Sequence, residues 1–412
     1  MIATSRPVTS CQGCDAPDLS SVLFLGYHPP VNTMPPIGAP LVEQVVYPLE
    51  LLRCAGCGLV QIGTEVDQGV LFPPSYPYRS GSTAVLRDNF ADLCRESGEL
   101  LGLRSGDLVV DIGSNDGTLL ANFQAAGLTV LGVEPSEAGE WARERGVPTL
   151  TAFFGPDTAA GIVAEHGHAS LVTAANVFAH IPDVHAVLDA VTELCAEDGV
   201  FVSESHYLPD LVANLQYDAV YHEHLRYYDL HSLASIMDRH GLEIFHSRRI
   251  PSHGGSIRVY AARAGRHEVS PSVAAMLAEE RHALGGSAFT DFRARVAASK
   301  RDLLMLLGEV RRHGERVYGV GAPSRAATLL NYIGADEGLV DCVLELASSP
   351  KVDKYIPGTT IPVLAEQKLL EDQPEYALLL SWHLTDELVD NLRRKGFRGR
   401  FIVPLPVPRV LA

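Results

Sequence analysis

The chain has 412 residues, 46% of them hydrophobic and 20% charged. That is an ordinary globular composition with length for two or three domains, and it excludes a disordered or collagen-like chain. The formal net charge is −17, from 50 acidic residues against 33 Lys and Arg, and no basic run is long enough to track a phosphate backbone, so nucleic acid is not an expected partner.

Met1–Pro7 lacks the apolar core of an export signal, and no window approaches eighteen uninterrupted apolar residues. The expectation is a cytoplasmic protein with no membrane partner. Residues 1–75 are rich in Pro, Gly and Cys, with short strand-like pieces such as Tyr47–Leu52. Cys11-Gln-Gly-Cys14 and Cys54-Ala-Gly-Cys57 form two CxxC pairs, while Cys94, Cys195 and Cys342 stand alone. Each CxxC can fold as a tight turn aiming two thiolates at one ion, and two such turns close the four-sulfur shell that structural zinc prefers. A redox CxxC would follow a βαβ strand, which neither pair does. Cys11, Cys14, Cys54 and Cys57 are therefore the expected zinc ligands, with no open position for chemistry. The odd cysteine count and paired spacing fit a reducing compartment.

Residues 76–265 alternate strand and helix patterns, which predicts an α/β sheet. The predicted strands are Leu108–Asp111, Thr129–Glu134, Ser170–Asn176, Gly199–Glu204 and Ile257–Ala261. The first runs into Asp111-Ile-Gly113-Ser-Asn115-Asp116-Gly117 and then a predicted helix, Thr118–Ala126. Gly113 and Gly117 let the backbone approach a ligand, and the helix start offers free amides. The GxxxG spacing differs from the GxGxxG of dinucleotide folds and resembles the first motif of the class I methyltransferases, which bind S-adenosylmethionine. Glu134, ending the next strand, is placed to take both ribose hydroxyls, as in the general doubly wound plan. Asn176-Val-Phe-Ala-His180 follows the fourth strand, where the cofactor's methionine end and the substrate meet in such enzymes. No acidic residue follows the third strand; Phe153 and Phe154 stand there instead, and stacking by these rings is expected to hold the adenine.

Asp218-Ala-Val-Tyr221-His222-Glu223-His224 packs ionisable and phenolic groups into a short stretch. In an extended segment Tyr221 and Glu223 would share one face, and His222 and His224 the other; a turn would break that alternation. A metal site on the HxH lacks a third ligand. Residues 270–312 read as one long helix. Residues 316–321 restart a strand and Gly-rich turn, leading through Ala322-Pro-Ser324-Arg325 into a predicted helix Ala326–Tyr332. Only two of the three dinucleotide glycines are present, Ser324 standing at the third, so the turn serves either packing or, through its amides and Arg325, a diphosphate.

The CxxC pairs, Tyr76-Pro-Tyr78-Arg-Ser80, Asp111–Gly117, Asn176–Pro182, Tyr221–His224, His253-Gly-Gly-Ser256-Ile-Arg258 and Gly319–Pro323 occur in this order. Together they closely resemble the antibiotic-pathway sugar C-methyltransferases, which act on dTDP-linked 4-keto-deoxysugars. The resemblance covers nearly the whole chain. It implies a monomer with a zinc-binding domain (1–75), a class I methyltransferase doubly wound sheet (76–265), and a helical linker with a C-terminal Rossmann-like domain (266–412). A nucleotide-linked keto sugar would lie between the last two and be methylated on the carbon next to the ketone, most often C3. Removing a C–H beside a ketone needs a base and stabilisation of the enolate. The expected base is His224, with Glu223 orienting it or sharing the proton. Tyr221 and His180 would hydrogen-bond the ketone oxygen, and Tyr76 would close the pocket.

Two departures from the family's pattern, at Leu344–Lys351 and Ser381-Trp382-His383, put the nucleotide or sugar in doubt. Lys351, Lys354 and Arg258 are the local cations expected near the substrate. The alternatives are an O- or N-methyltransferase on another small natural product, a nicotinamide-dependent sugar oxidoreductase, and a silent nucleotide-binding scaffold.

Overall fold

The computed structural model describes residues 4–40, 44–72 and 80–412. Near the N-terminus, strands Leu19–His28, Tyr47–Cys54 and Val60–Ile62 form an antiparallel sheet. Its fourth strand comes from far along the chain: Arg226–Tyr227 pairs antiparallel with Val60 and Gln61. The segment that closes the Tyr221–His224 cluster is thus stitched into the sheet that carries the cysteines.

The central sheet has seven strands. In edge-to-edge order they are Leu242–Ile250, Ser256–Arg263, Cys195–His206, Ala169–Ala175, Leu108–Ile112, Thr129–Val133 and Thr149–Leu150. All run parallel except Ser256–Arg263, which is antiparallel to both neighbours. The five predicted strands are present. Thr149–Leu150 and Leu242–Ile250 were not foreseen. Strand Leu108–Ile112 is buried at every position, because helices cover both faces of a parallel sheet. The strand order reverses beside Leu108–Ile112, and ligands of open α/β sheets bind at such a reversal, beyond the carboxyl ends of the strands.

The predicted 270–312 helix is two helices, Pro271–Ala283 and Ala288–Arg312. The break falls at Gly285-Gly286, where Gly286 adopts φ 57 and a Cβ on Gly285 would stand 2.6 Å from the Arg281 carbonyl oxygen. The second helix leads into a C-terminal sheet whose five inner strands are parallel: Pro362–Ala365, Cys342–Glu345, Val317–Val320, Tyr376–Leu379 and Arg400–Val403. One continuous apolar core joins the N-terminal sheet (Leu49, Leu51), the segment before the cluster (Leu208, Leu211, Tyr217), the long helix (Leu303, Leu307) and the C-terminal sheet (Val343, Leu378). Among the described residues no helix is long and apolar enough to cross a membrane.

Candidate active site

The four CxxC thiols come together although the pairs lie far apart in sequence. All four sulfurs lie within 4.8 Å of one another. Four sulfurs at about 2.3 Å around a tetrahedral zinc stand about 3.8 Å apart, and the Cys11–Cys57 and Cys14–Cys54 pairs at 3.5 Å are close to that spacing. The amides of Gly13 and Gly56 each point at a sulfur, at 3.3 Å on Cys11 and Cys54. Cys57, 3.5 Å from Cys11, holds the Cys11 thiol down to about 5, and the same contact pushes Cys57 upward. Such a pair loses its remaining proton when a metal binds.

A cavity of about 1150 Å³ opens at the carboxyl ends of the central strands and runs to the C-terminal sheet. A drug-sized ligand occupies a site of about 300–1000 Å³, so this one has room for two partners. At one end stand Gly113, Asn115, Glu134, Phe153, Phe154 and Asn176. Gly113 has φ 67, and a Cβ there would come within 2.6 Å of Val177. The Glu134 carboxylate accepts from the Asn115 amide at 3.0 Å and from the Ser136 amide and hydroxyl at 2.9 and 2.6 Å. It sits at the mouth of the glycine turn, with acceptor capacity left for ribose hydroxyls. The Asn176 amide sits against Glu204, which its N–H helps hold ionised, while its oxygen and the Ser205 hydroxyl on the same wall make no hydrogen bond among the described residues. Those two groups are free to meet a ligand. Phe153 is 74% exposed and Phe154 partly buried, both on the cavity rim.

Two residues assigned to this end do not reach it. Asp111 accepts a 2.6 Å bond from Thr173 inside the sheet; burial, aided by the nearby Glu134 charge, pushes its carboxyl up to about 7. Gly117 packs against Ala142 and Val147. Neither lines the cavity. Asp111 stays inside the sheet on Thr173, and Gly117 lets the helix Thr118–Ala125 start in a left-handed turn.

At the middle of the cavity the 221–224 segment is a turn, closed by the His224 amide on the Tyr221 carbonyl at 3.0 Å. The turn places Tyr221, Glu223 and His224 on the cavity and sends His222 away, to the Pro48 carbonyl at 3.2 Å. His224 stacks within 4.0 Å of Tyr221 and 4.9 Å of His180, centroid to centroid. Its Nδ1 lies 2.9 Å from the Ala219 carbonyl oxygen. A carbonyl only accepts, so Nδ1 carries the proton and Nε2 keeps its lone pair. Burial, reinforced by His180, holds His224 well below the usual histidine range. His180 has the same tautomer: its Nδ1 donates to the Glu223 carbonyl at 2.7 Å, and burial lowers it to about 4. Neutral His180 therefore has no proton on Nε2 to give to a ketone. Tyr76 lies outside the described residues.

Sequence reading had missed three further histidines on the same wall: His206, 5.0 Å from His224; His253, 5.4 Å from His206; and His383, whose Nδ1 accepts from Arg325 at 2.8 Å. Nothing in the local pattern marks His206. The other two stand in stretches that were singled out for different reasons. Arg325 lines the cavity, and it also pairs with the buried Asp218 at 3.3 Å and donates to Gln216 at 3.1 Å. Asp218 in turn accepts from Trp382 at 2.7 Å, so the unusual Ser381-Trp382-His383 sequence is wired to the reacting segment.

At the Gly-rich turn the Ala322 amide is taken by Glu345 at 2.9 Å and its carbonyl by Lys351 at 2.7 Å. Lys351 lines the cavity and Lys354 does not. Arg258 does not reach it either. That side chain is fully buried and held by Glu204, Glu96 and Asp92. The expectation that Arg258 meets the substrate is corrected by those carboxylates.

A glycine turn backed by an acid on the next strand, seven strands with one reversed, and a two-compartment cavity define an S-adenosylmethionine-dependent methyltransferase of class I fold. Residues 85–247 match the family model of a methyltransferase domain, 251–406 that of a C-methyltransferase C-terminal domain, and 11–72 that of a zinc binding domain. The C-methyltransferase NovU of Streptomyces niveus is 36% identical over 417 aligned residues, spanning 99% of this chain and 98% of that protein. The chain belongs to this family of zinc-containing C-methyltransferases, with S-adenosylmethionine and zinc as its cofactors.

Two solved structures match part of the chain. Magnesium protoporphyrin IX methyltransferase (ChlM) from Synechocystis PCC 6803, with bound SAM, is 17% identical, covering 43% of this chain and 78% of that one at a TM-score of 0.32. The CcbJ methyltransferase from Streptomyces caelestis is 16% identical, covering 43% and 90% at 0.34.

Proposed function

We propose that the methyl acceptor is the carbon next to the ketone, C3 in the leading reading, of a nucleotide-linked 4-keto-deoxysugar. The observation that carries this reading is the convergence of Tyr221, Glu223 and His224 midway along a cavity that continues to Arg325, Lys351 and His383. When bound, S-adenosylmethionine supplies an electrophilic methyl on a sulfonium. Glu134 would take its ribose hydroxyls, Phe153 and Phe154 its adenine, and Asn115 and Asn176 its methionine end near Gly113.

His224 removes the proton from the substrate carbon through Nε2. Its Nδ1–H stays on the Ala219 carbonyl and fixes the ring plane. A base kept neutral by burial is ready at physiological pH but is weak, so the enolate needs a strong donor. Tyr221 fills that role at the ketone oxygen. His180, with a lone pair on Nε2, accepts from a substrate hydroxyl instead. Glu223 orients His224 or shares its proton. The chain then aligns enolate and methyl, a contribution of position. The C-terminal turn with Lys351 meets the nucleotide end, and the protein acts as a cytoplasmic monomer.

The test is incubation with methyl-labelled S-adenosylmethionine and a panel of dTDP-4-keto-deoxysugars in heavy water, followed by mass and carbon NMR. Label on the ring carbon beside the ketone, with deuterium exchange there, is expected. Label on oxygen or nitrogen would overturn the carbon-acid chemistry. His224→Asn should lower turnover by about 10²–10⁴-fold, and near-normal turnover would remove His224 as the base.

A further inference from the structure

Glu223 is met from behind the cavity by a residue of the zinc-bearing region. Asn32 Nδ2 donates to Glu223 Oε1 at 2.7 Å across 191 positions of sequence. Asn32 does not line the cavity. It stands in the Pro29-Pro30-Val31-Asn32 turn, which is set by the Thr33 amide on the Pro30 carbonyl at 3.2 Å and by burial of Val31 in the shared core. Beyond this turn the chain crosses to the C-terminal sheet. The Tyr355 amide donates to the Pro35 carbonyl at 2.8 Å, and the Ile37 amide to the Asp353 carbonyl at 2.9 Å. The loop so gripped carries Lys351, whose ammonium is anchored on the Ala322 carbonyl and faces both Glu345 and Glu223.

We propose that Asn32 is a positioning residue for the reaction: its amide fixes the Glu223 carboxylate, and the strap that carries it couples the zinc-bearing sheet and the Lys351 loop to the reacting cluster. The proposal rests on Glu223 acting beside His224, as argued above. An amide donor brings no charge of its own, so its effect on the Glu223 carboxyl is to select one orientation beside Lys351. His180 also packs here, through the Glu223 main chain, and it is neutral.

Removal of the donor by Asn32→Ala should lower kcat about 10- to 100-fold, since the acceptor is charged, with KM and the affinity for S-adenosylmethionine unchanged. Asn32→Asp puts two carboxylates in contact. One of them then titrates at raised pH, and below that pH the pair shares a proton. Turnover of Asn32→Asp should recover as pH falls and be lost as it rises, a profile that a structural role would not produce. A second arm needs no substrate: Asn32→Asp should lower Tm at pH 8, and Asn32→Asp/Glu223→Gln should restore it, because glutamine donates where the asparagine did.

Wild-type turnover together with no Tm coupling and an unaltered pH profile in Asn32→Asp would overturn the positioning role. Tm coupling in a protein whose wild type methylates no keto sugar would support the Asn32–Glu223 contact and sink the substrate reading instead.

Discussion

Arg258 shows what a single buried charge requires. Its Nε bonds Glu204 at 3.0 Å and its Nη1 bonds Asp92 at 3.0 Å and also Glu96, while Asn89 takes Nη2 at 3.1 Å. Burial pushes the Glu204 carboxyl up, and Arg258 with Asn89 pulls it back. The group is worth little as a net source of stability, yet breaking it leaves an uncompensated charge in the sheet. Arg258→Ala should therefore cost about 3–5 kcal/mol in denaturant unfolding, and adding Glu204→Gln should recover part of it. An Arg258→Ala enzyme of normal stability with a raised KM for the nucleotide sugar would return this residue to the substrate. Arg325 does line the cavity, as Arg143 and Arg226 do, and is held there by Asp218, Gln216 and His383.

The zinc-bearing sheet acts on catalysis through its neighbours in the fold. Strand Arg226–Tyr227 is its edge, and Arg226 also clamps the Ile181 and Pro182 carbonyls at 2.6 Å, next to His180. Gly13, between the first two cysteines, packs on Ile236 of the central unit so closely that a Cβ would stand 2.9 Å from it. Metal analysis should find one zinc per chain. Cys54→Ser should lose it, lower Tm and lower turnover well before the affinity for S-adenosylmethionine changes, since Glu134 is held locally by Asn115 and Ser136. Loss of cofactor affinity in parallel with zinc would mean that the sheet holds the whole fold.

The knuckles, the glycine turn and the inner strands were legible because their signals are local: thiol pairs, a GxxxG after an apolar run, continuous Val/Leu/Ile stretches. Strand Leu242–Ile250 was not, because Glu243, His246, Arg248 and Arg249 interrupt its apolar residues. The 270–312 helix was read through Gly285-Gly286 because helical composition resumes at once on the far side. Asp111 was assigned to the ligand because sequence gives a side chain's strand and leaves open which neighbour satisfies it. The Asn32–Glu223 contact joins residues 191 positions apart, and His206 meets His224 and His253 only through the packing of separate elements; no single-sequence pattern exists for either.

Across the whole molecule, burial of histidine sets the acid limit. His28 and His222 lie away from the cavity, and desolvation lowers each, His222 to about 4. His180, His206, His224, His253 and His383 line the cavity and are lowered by burial as well. The unfolded chain takes up a proton at each histidine near pH 6.5 while the folded chain does not. Below that pH the unfolded state binds more protons, so stability falls as pH falls. Each such histidine contributes a slope of up to about 1.4 kcal/mol per pH unit, so His28 and His222 alone reach about 3 kcal/mol for each pH unit, against a typical total stability of about 5–15 kcal/mol. Carboxylates held low, such as Glu96 at about 2, add their loss only below about pH 4.5. The buried carboxyls Asp111 and Glu280, raised to about 7, take up protons in the fold over the same range and offset part of this loss, so Tm should fall between pH 6.5 and 5 by less than the histidines alone would give. Replacing His28, which touches neither ligand compartment, with Gln should flatten that slope by up to one histidine's share. A slope unchanged by His28→Gln would mean that this ring is protonated in the fold.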